Sequence, residues 1–196
     1  MNQSMSYYSP DELDGLGFAS CGSDVLVSRN AAIHRPDRVS IGDHVRIDDF
    51  VVLTGGDDAL VAIGSYVHIA AHAALFGSAG LVLEDFVGVS GRVSLYSTTD
   101  DYGGDVLTNP TVPARFKRVI RAPVVLRRHV VVGAGSVILP GVTIGEGSAT
   151  GALTLVNRDL EPWGIYVGAP ARLLKRRSAG VLELEAELRA SDEADA

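Results

Sequence analysis

Residues 124–156 read VVLRRHVVVGAGSVILPGVTIGEGSATGALTLV, and an aliphatic side chain returns at every sixth position: Leu126, Val132, Ile138, Ile144 and Val156, with Thr150 the one polar member. The same period runs upstream at Ile41, Ile47 and Leu53, then Ile63, Ile69 and Leu75, then Leu83, Val89 and Leu95. Four residues after these, where the next hexad follows directly, stands a small or β-branched residue, as at Val45, Val67, Ala73, Val87, Ser136, Ser148 and Thr154. The position just after the aliphatic one is often Gly or acidic, as at Gly42, Asp48, Gly64, Glu84, Gly133 and Gly151.

Each such hexad is one short strand plus a turn. The aliphatic residue points inward, the small one fills the corner beside it, and glycine turns the backbone without a Cβ clash. Three hexads close a triangular coil of 18 residues, and 126 to 144 is one such coil with no insertion. A parallel α/β domain is also rich in Val and Ile, but nothing between residues 39 and 96 has helical period or length. The sequence therefore predicts an all-β solenoid. Its composition agrees: 46% hydrophobic side chains and 22 glycines, but only one Trp, six Tyr and five Phe, suit a narrow interior.

Charge and cysteine content bound the function. With 17 basic against 24 acidic residues the net charge is −7, which lacks the basic stripe that a nucleic-acid partner requires. The lone Cys21 excludes an intramolecular disulfide framework and fits a reducing cytoplasm. No apolar run is long enough for a membrane span, and the polar start MNQSMSYYSPDELD does not resemble a secretory signal. Acidity concentrates in residues 179–196, while Arg172, Lys175, Arg176 and Arg177 make the segment before it basic.

Three regions follow. Residues 1–24 hold a short helix, signalled by Ser9, Pro10 and Glu12, that caps the first coil. Residues 25–175 form the solenoid, interrupted by one excursion at 97–123, and so long a loop is usually functional. Residues 176–196 are a short acidic helix and tail.

The repeat [aliphatic]-G-x-x-[STAV]-x resembles that of the hexapeptide-repeat acyltransferases. The likeness is most specific over residues 130–177, where Gly168-Ala169-Pro170-Ala171-Arg172 matches the G-x-P-A-[RK] ending of galactoside, maltose and related sugar acetyltransferases. It implies a left-handed parallel β-helix with short N-terminal and C-terminal helices. The hand comes from the family, because crossovers between parallel strands are normally right-handed. It also implies a homotrimer with sites between adjacent prisms, acetyl-CoA as co-substrate and no metal. The segments VSLYSTTDDYGGD and LEPWGIY look most like bacterial proteins of glycan gene clusters. The implied activity is acetyl transfer to a hydroxyl or amine of a sugar, a nucleotide-linked (amino)deoxy sugar of O-antigen, capsule or exopolysaccharide assembly being the implied acceptor.

The same resemblance nominates site residues. Sugar O-acetyltransferases carry a histidine base in a segment like TATH, and here Ser97-Thr98-Thr99-Asp100 puts Asp100 in its place. A carboxylate is a weak base for a sugar hydroxyl, so either another histidine serves, or Asp100 is desolvated, or the acceptor is an amine. His68, in the stretch Ile63-Gly64-Ser65-Tyr66-Val67-His68-Ile69-Ala70, resembles the acetyl-approaching histidine of nucleotide-sugar N-acetyltransferases, and His72 stands at a corner nearby. His34, His44 and His129 fall at turns and are expected to be exposed. On the CoA side the turns Gly133-Ala134-Gly135-Ser136 and Gly151-Ala152 would line the pantetheine arm, with Arg158, Arg172 and Lys175 at the ADP phosphates. In the loop, Asp101, Tyr102 and Asn109 suit a hydroxyl-rich acceptor and Arg115 its phosphates. Two other classes stay open: a non-catalytic β-helix scaffold, and a γ-type carbonic anhydrase, which needs three histidines on one zinc where this chain places only His68 and His72 close together.

Overall fold

The computed structural model describes residues 6–56 and 59–195, and in it the hexads stack as three parallel sheets around a narrow interior. Sheet one is Ser20–Cys21, Val39–Ile41, Val61–Ile63, Leu81–Leu83, Val124–Leu126 and Thr143–Ile144. Sheet two is Leu26–Val27, Arg46–Ile47, His68–Ile69, Gly88–Val89, Val131–Val132, Ala149–Thr150 and Gly164–Val167, closed by the antiparallel strand Arg172–Arg176. Sheet three is Ala32–His34, Val52–Gly55, Ala74–Gly77, Ser94–Tyr96, Val137–Ile138 and Leu155–Val156. The coil is left-handed, as in the acyltransferase fold. The parallel ladder takes in Ser20–Cys21, upstream of the start expected at residue 25.

Register is strict, because a slip of one residue would turn every aliphatic side chain outward. Val39 pairs with Val61, Val61 with Leu81 and Leu81 with Val124, each one coil further on. All the inward aliphatic positions are buried, and so are their small partners from Val45 to Thr154. The only aromatic ring among the buried hydrophobic residues described is Tyr166.

Two corners turn on residues in the left-handed backbone region. Between sheets one and two these are Asp24, His44, Tyr66, Phe86, His129, Gly147 and Trp163, with φ from 51 to 66°. Between sheets two and three they are Phe50, His72, Arg92, Gly135 and Leu153, with φ from 56 to 70°. A non-glycine residue there costs about 1–2 kcal/mol, so the side chains kept at these corners call for a reason. The third corner absorbs the long insertion, 97–123, in which Thr98–Asp100 and Val119–Arg121 form an antiparallel ribbon.

A helix near each terminus packs on the prism. Helix α1 (Pro10–Gly15) sets Leu13 into the core, and Glu12 accepts from the Ser9 amide at 2.8 Å, as the capping signature predicts. Helix α2 (Val181–Asp195) is a full 15 residues and lies against the first corner. There the expectation of an exposed His129 is overturned: its side chain is 7% exposed, with Nε2 at 2.6 Å from Glu185 of α2. The rings of His44, Tyr66, Phe86 and His129 stack one per coil at 4.6, 4.8 and 5.0 Å, and α2 covers the top of this column. Arg189 bonds Glu185 at 2.8 Å and Asp85 at 2.9 Å and lies over the Phe86 ring, while Tyr66 donates to Asp192. No helix described is long and apolar enough to cross a membrane.

Burial alone would push the Glu185 carboxyl up, but the bonds from Arg189 and His129 and the charge of Arg128 outweigh it and hold the group below its ordinary 4.5. A carboxyl lowered by folding stabilises the fold fully above its unfolded value and loses that contribution as pH falls through the folded one. Glu185→Gln should therefore lower Tm at neutral pH. In thermal melts the gap to wild type should narrow as pH falls below 4.5.

Candidate active site

The second corner carries a groove of about 370 Å³ along the prism, bordered by Ala71 and His72, Gly91 and Arg92, Ala134 and Gly135, and Ala152 and Leu153. These pairs come from successive coils, so the repeat itself builds the groove. Small side chains keep it shallow and passable. Among the described residues the amides of Ala71, Gly91, Ala134 and Ala152 have no hydrogen-bond partner, leaving one donor per coil in the groove wall. Such a row suits an extended ligand that carries amide carbonyls, or the oxygen of a thioester.

The two glycine turns divide by role. Ala134, Gly135 and Ala152 face the groove. Ser136 does not: it is fully buried, and its hydroxyl donates to the Gly151 carbonyl at 3.0 Å. Gly133 is fixed by stacking, since a Cβ there would lie 2.5 Å from the Gly151 carbonyl carbon. Gly151 closely meets only a side chain, a Cβ there lying 2.9 Å from the Val167 Cγ1 methyl.

The histidine candidates separate. His72 lies in the groove with its ring stacked on Phe50, centroids 5.0 Å apart. His68 stands on the outer face of sheet two, half exposed, with Nε2 2.8 Å from Asp48 Oδ2. Asp48 also accepts from Arg46 Nε at 2.6 Å and from the Tyr7 hydroxyl at 3.3 Å. Burial raises the Asp48 pKa, but the bonds from His68 and Arg46 more than reverse it, so the carboxylate stays ionised beside the ring. His68 and His72 thus point to different partners and do not converge on a common centre.

Asp100 ends the first strand of the loop ribbon, and its Oδ2 accepts the Asn109 amide at 3.0 Å. Asp101 holds the ribbon shut through Arg118 at 2.9 Å and caps the Gly103 amide at 2.8 Å. Tyr102 is 83% exposed with its hydroxyl 2.9 Å from that of Thr99. Asn109 collects Thr111 through its side chain and Lys117 through its carbonyl, and Arg115 lies over the Phe116 ring at 4.5 Å. The loop candidates thus share one excursion at the third corner of the prism, where a hydrogen bond joins Asn109 to Asp100. Among the described residues no hydrogen bond joins these candidates to the groove.

The expected CoA cations sit at the carboxy-terminal end of the prism. Arg172 and Lys175 are on the exposed closing strand, and Arg158 borders a pocket of about 300 Å³ with Arg176. Phe50 and Arg92 escaped the sequence reading altogether. Both are at the register that includes His72 and Gly135, three residues after an inward aliphatic, so the repeat did carry a signal for them.

A parallel β-helix with an amide-lined corner groove and one long corner loop has the architecture of the acyltransferases that the repeat resembles. No family model matches the chain. The dTDP-4-amino-4,6-dideoxy-D-glucose acyltransferase of Escherichia coli is 37% identical over 187 residues, covering 95% of this chain and 97% of its own length. This chain belongs to the hexapeptide-repeat acyltransferases. AntD, an N-acyltransferase from Bacillus cereus solved with dTDP and 3-hydroxybutyryl-CoA, superposes with a TM-score of 0.92 at 45% identity, covering 96% of this chain and 98% of its own. An AntD variant has been solved with dTDP-4-amino-4,6-dideoxyglucose and coenzyme A, at a TM-score of 0.90. A hexapeptide-repeat acetyltransferase of Vibrio cholerae, solved with acetyl coenzyme A, shares the fold at a TM-score of 0.57 and 20% identity, over 90% of this chain and 83% of its own.

Because backbone rather than a flexible side chain faces Gly133, Gly133→Ala should destabilise the protein by about 1–3 kcal/mol in denaturant melts. CoA affinity of the folded protein should be unchanged if Gly133 acts through stacking, whereas a ligand contact would lower it.

Proposed function

We propose that this protein transfers an acetyl group from acetyl-CoA to the amine of a dTDP-linked 4-amino-4,6-dideoxy sugar, for bacterial polysaccharide assembly in the cytoplasm. The observation that carries the proposal is the near-full-length likeness to two acyltransferases, one named for this amino sugar and one solved with it bound. An amine also accounts for Asp100. A neutral amine is already a nucleophile, and its proton becomes acidic once nitrogen has bonded to the acyl carbon, so a carboxylate suffices to receive it.

In this mechanism the pantetheine arm lies along Ala134, Gly135 and Ala152, with the CoA phosphates toward Arg158, Arg172 and Lys175. The amine nitrogen attacks the thioester carbon, and a groove amide holds the developing oxyanion. The C–S bond then breaks, CoA leaves as thiolate, and the amine proton passes to Asp100. His68, held by Asp48, faces the acyl group, and His72 faces the acceptor. Asp101, Tyr102, Asn109 and Arg115 border the acceptor. Cys21 is not an acyl carrier: burial, and then Asp14, push its thiol pKa up, away from the thiolate form.

Groove and loop occupy different corners of one prism, so the complete site needs a second copy. A homotrimer that sets the loop of one chain against the groove of the next supplies it. In a thiol-release assay the amino sugar should be acetylated and its 4-hydroxy counterpart should not. Asp100→Ala should lower kcat by about 10²–10⁴-fold, and Ala152→Trp should raise KM for acetyl-CoA. Equal transfer to both sugars, or full activity of both His68→Ala and Asp100→Ala, would contradict the proposal.

A further inference from the structure

The groove continues below the stretch given to pantetheine, and its lower end has its own chemistry. On three successive coils the same corner presents Phe50, His72 and Arg92, all in the left-handed backbone region. Phe50 is 54% exposed, and its ring contact is the parallel face of His72, at 5.0 Å and 19°. The ring column at the first corner is covered by α2, whereas no described element covers this one. One coil above, Arg92 is exposed and has no ion-pair or hydrogen-bond partner for its guanidinium among the described residues. The Asp49 carboxylate accepts from the Ser28 hydroxyl and Asn30, and among the described residues it makes no ion pair with Arg92.

Order along the corner matters. From coil two upward come an aromatic platform, a free cation with the unpartnered amides of Ala71 and Gly91 beside it, and then the small residues of the thioester stretch. A nucleoside diphosphate sugar presents the same order: base, diphosphate, sugar. Coils rise by about 4.8 Å, so Phe50 and Arg92 stand about 10 Å apart along the prism, the scale of an extended nucleoside diphosphate. The CoA phosphates have their own cations at the opposite end, so this segment is left for the other substrate.

We infer that Phe50, His72 and Arg92 form the nucleotide subsite of the dTDP-sugar proposed above, the stacked Phe50–His72 pair receiving the pyrimidine and Arg92 the diphosphate. Stacking on an aromatic side chain and a charge-assisted contact to phosphate are each strong enough to be read in binding. Because the subsite belongs to the acceptor and not to CoA, its loss separates the two affinities.

The test titrates dTDP and CoA separately into the full-length protein by calorimetry. Phe50→Leu keeps apolar bulk while removing the ring, and Arg92→Gln keeps length while removing the charge. Both should raise the Kd for dTDP by about tenfold or more, with the Kd for CoA and the melting temperature close to wild type. If wild type binds dTDP and acetylates the amino sugar but both variants bind dTDP as tightly, the subsite is wrong and the activity stands. Equal weakening of CoA and dTDP would also overturn it, since the corner would then serve CoA. Failure of wild type to bind dTDP at all would remove the subsite and the proposed acceptor together.

Discussion

Coil-on-coil stacking is the constraint on which the rest of this molecule depends. Parallel strands about 4.8 Å apart pair across coils only if each coil repeats the one below in register. The sequence meets this with one inward, mostly aliphatic side chain per face and, in the five coils from His44 to Leu153, a left-handed backbone residue at two corners. The consequence is columnar: residues that share a register stand directly above and below one another. Core, ring ladder and groove are three columns produced by a single rule.

Much of the fold was legible for that reason. The inward residues from Ile41 to Val156 announce themselves by period alone, and each is buried as its register requires. Ser136 shows the same logic ignored. Its register is inward, yet its glycine-bearing turn suggested a ligand contact, and the structure has it buried on the Gly151 carbonyl. His129 was illegible for a different reason. Its exposure depends on where α2 docks, and nothing local in a polar helix such as 181–195 specifies the corner it will cover. The loop ribbon of Thr98–Asp100 and Val119–Arg121 was equally hidden, because it falls outside the repeat.

The candidate site was legible in part. Ala134, Gly135, Ala152 and His72 were found from turn composition and family likeness, and the groove gathers them. Phe50 and Arg92 belong to no motif and become visible only when the corner is read as a column. A flat prism offers a substrate little concavity, and here the two polar assemblies with chemical potential stand at different corners. The groove has amide donors and His72 but no carboxylate, and the loop has carboxylates without a channel. Each half lacks what the other provides, and the proposed site shared between copies brings them together.

Co-expression of two impaired variants, assayed at acetyl-CoA well below the raised KM of Ala152→Trp, tests that claim most directly. Asp100→Ala spoils the loop and leaves the groove intact, whereas Ala152→Trp blocks the groove and leaves the loop intact. In randomly mixed trimers of the proposed assembly about a quarter of the interfaces join an intact groove to an intact loop, so the mixture should recover about that fraction of wild-type activity. A mixture as inactive as either variant alone, from trimers shown to contain both chains, would contradict the shared site.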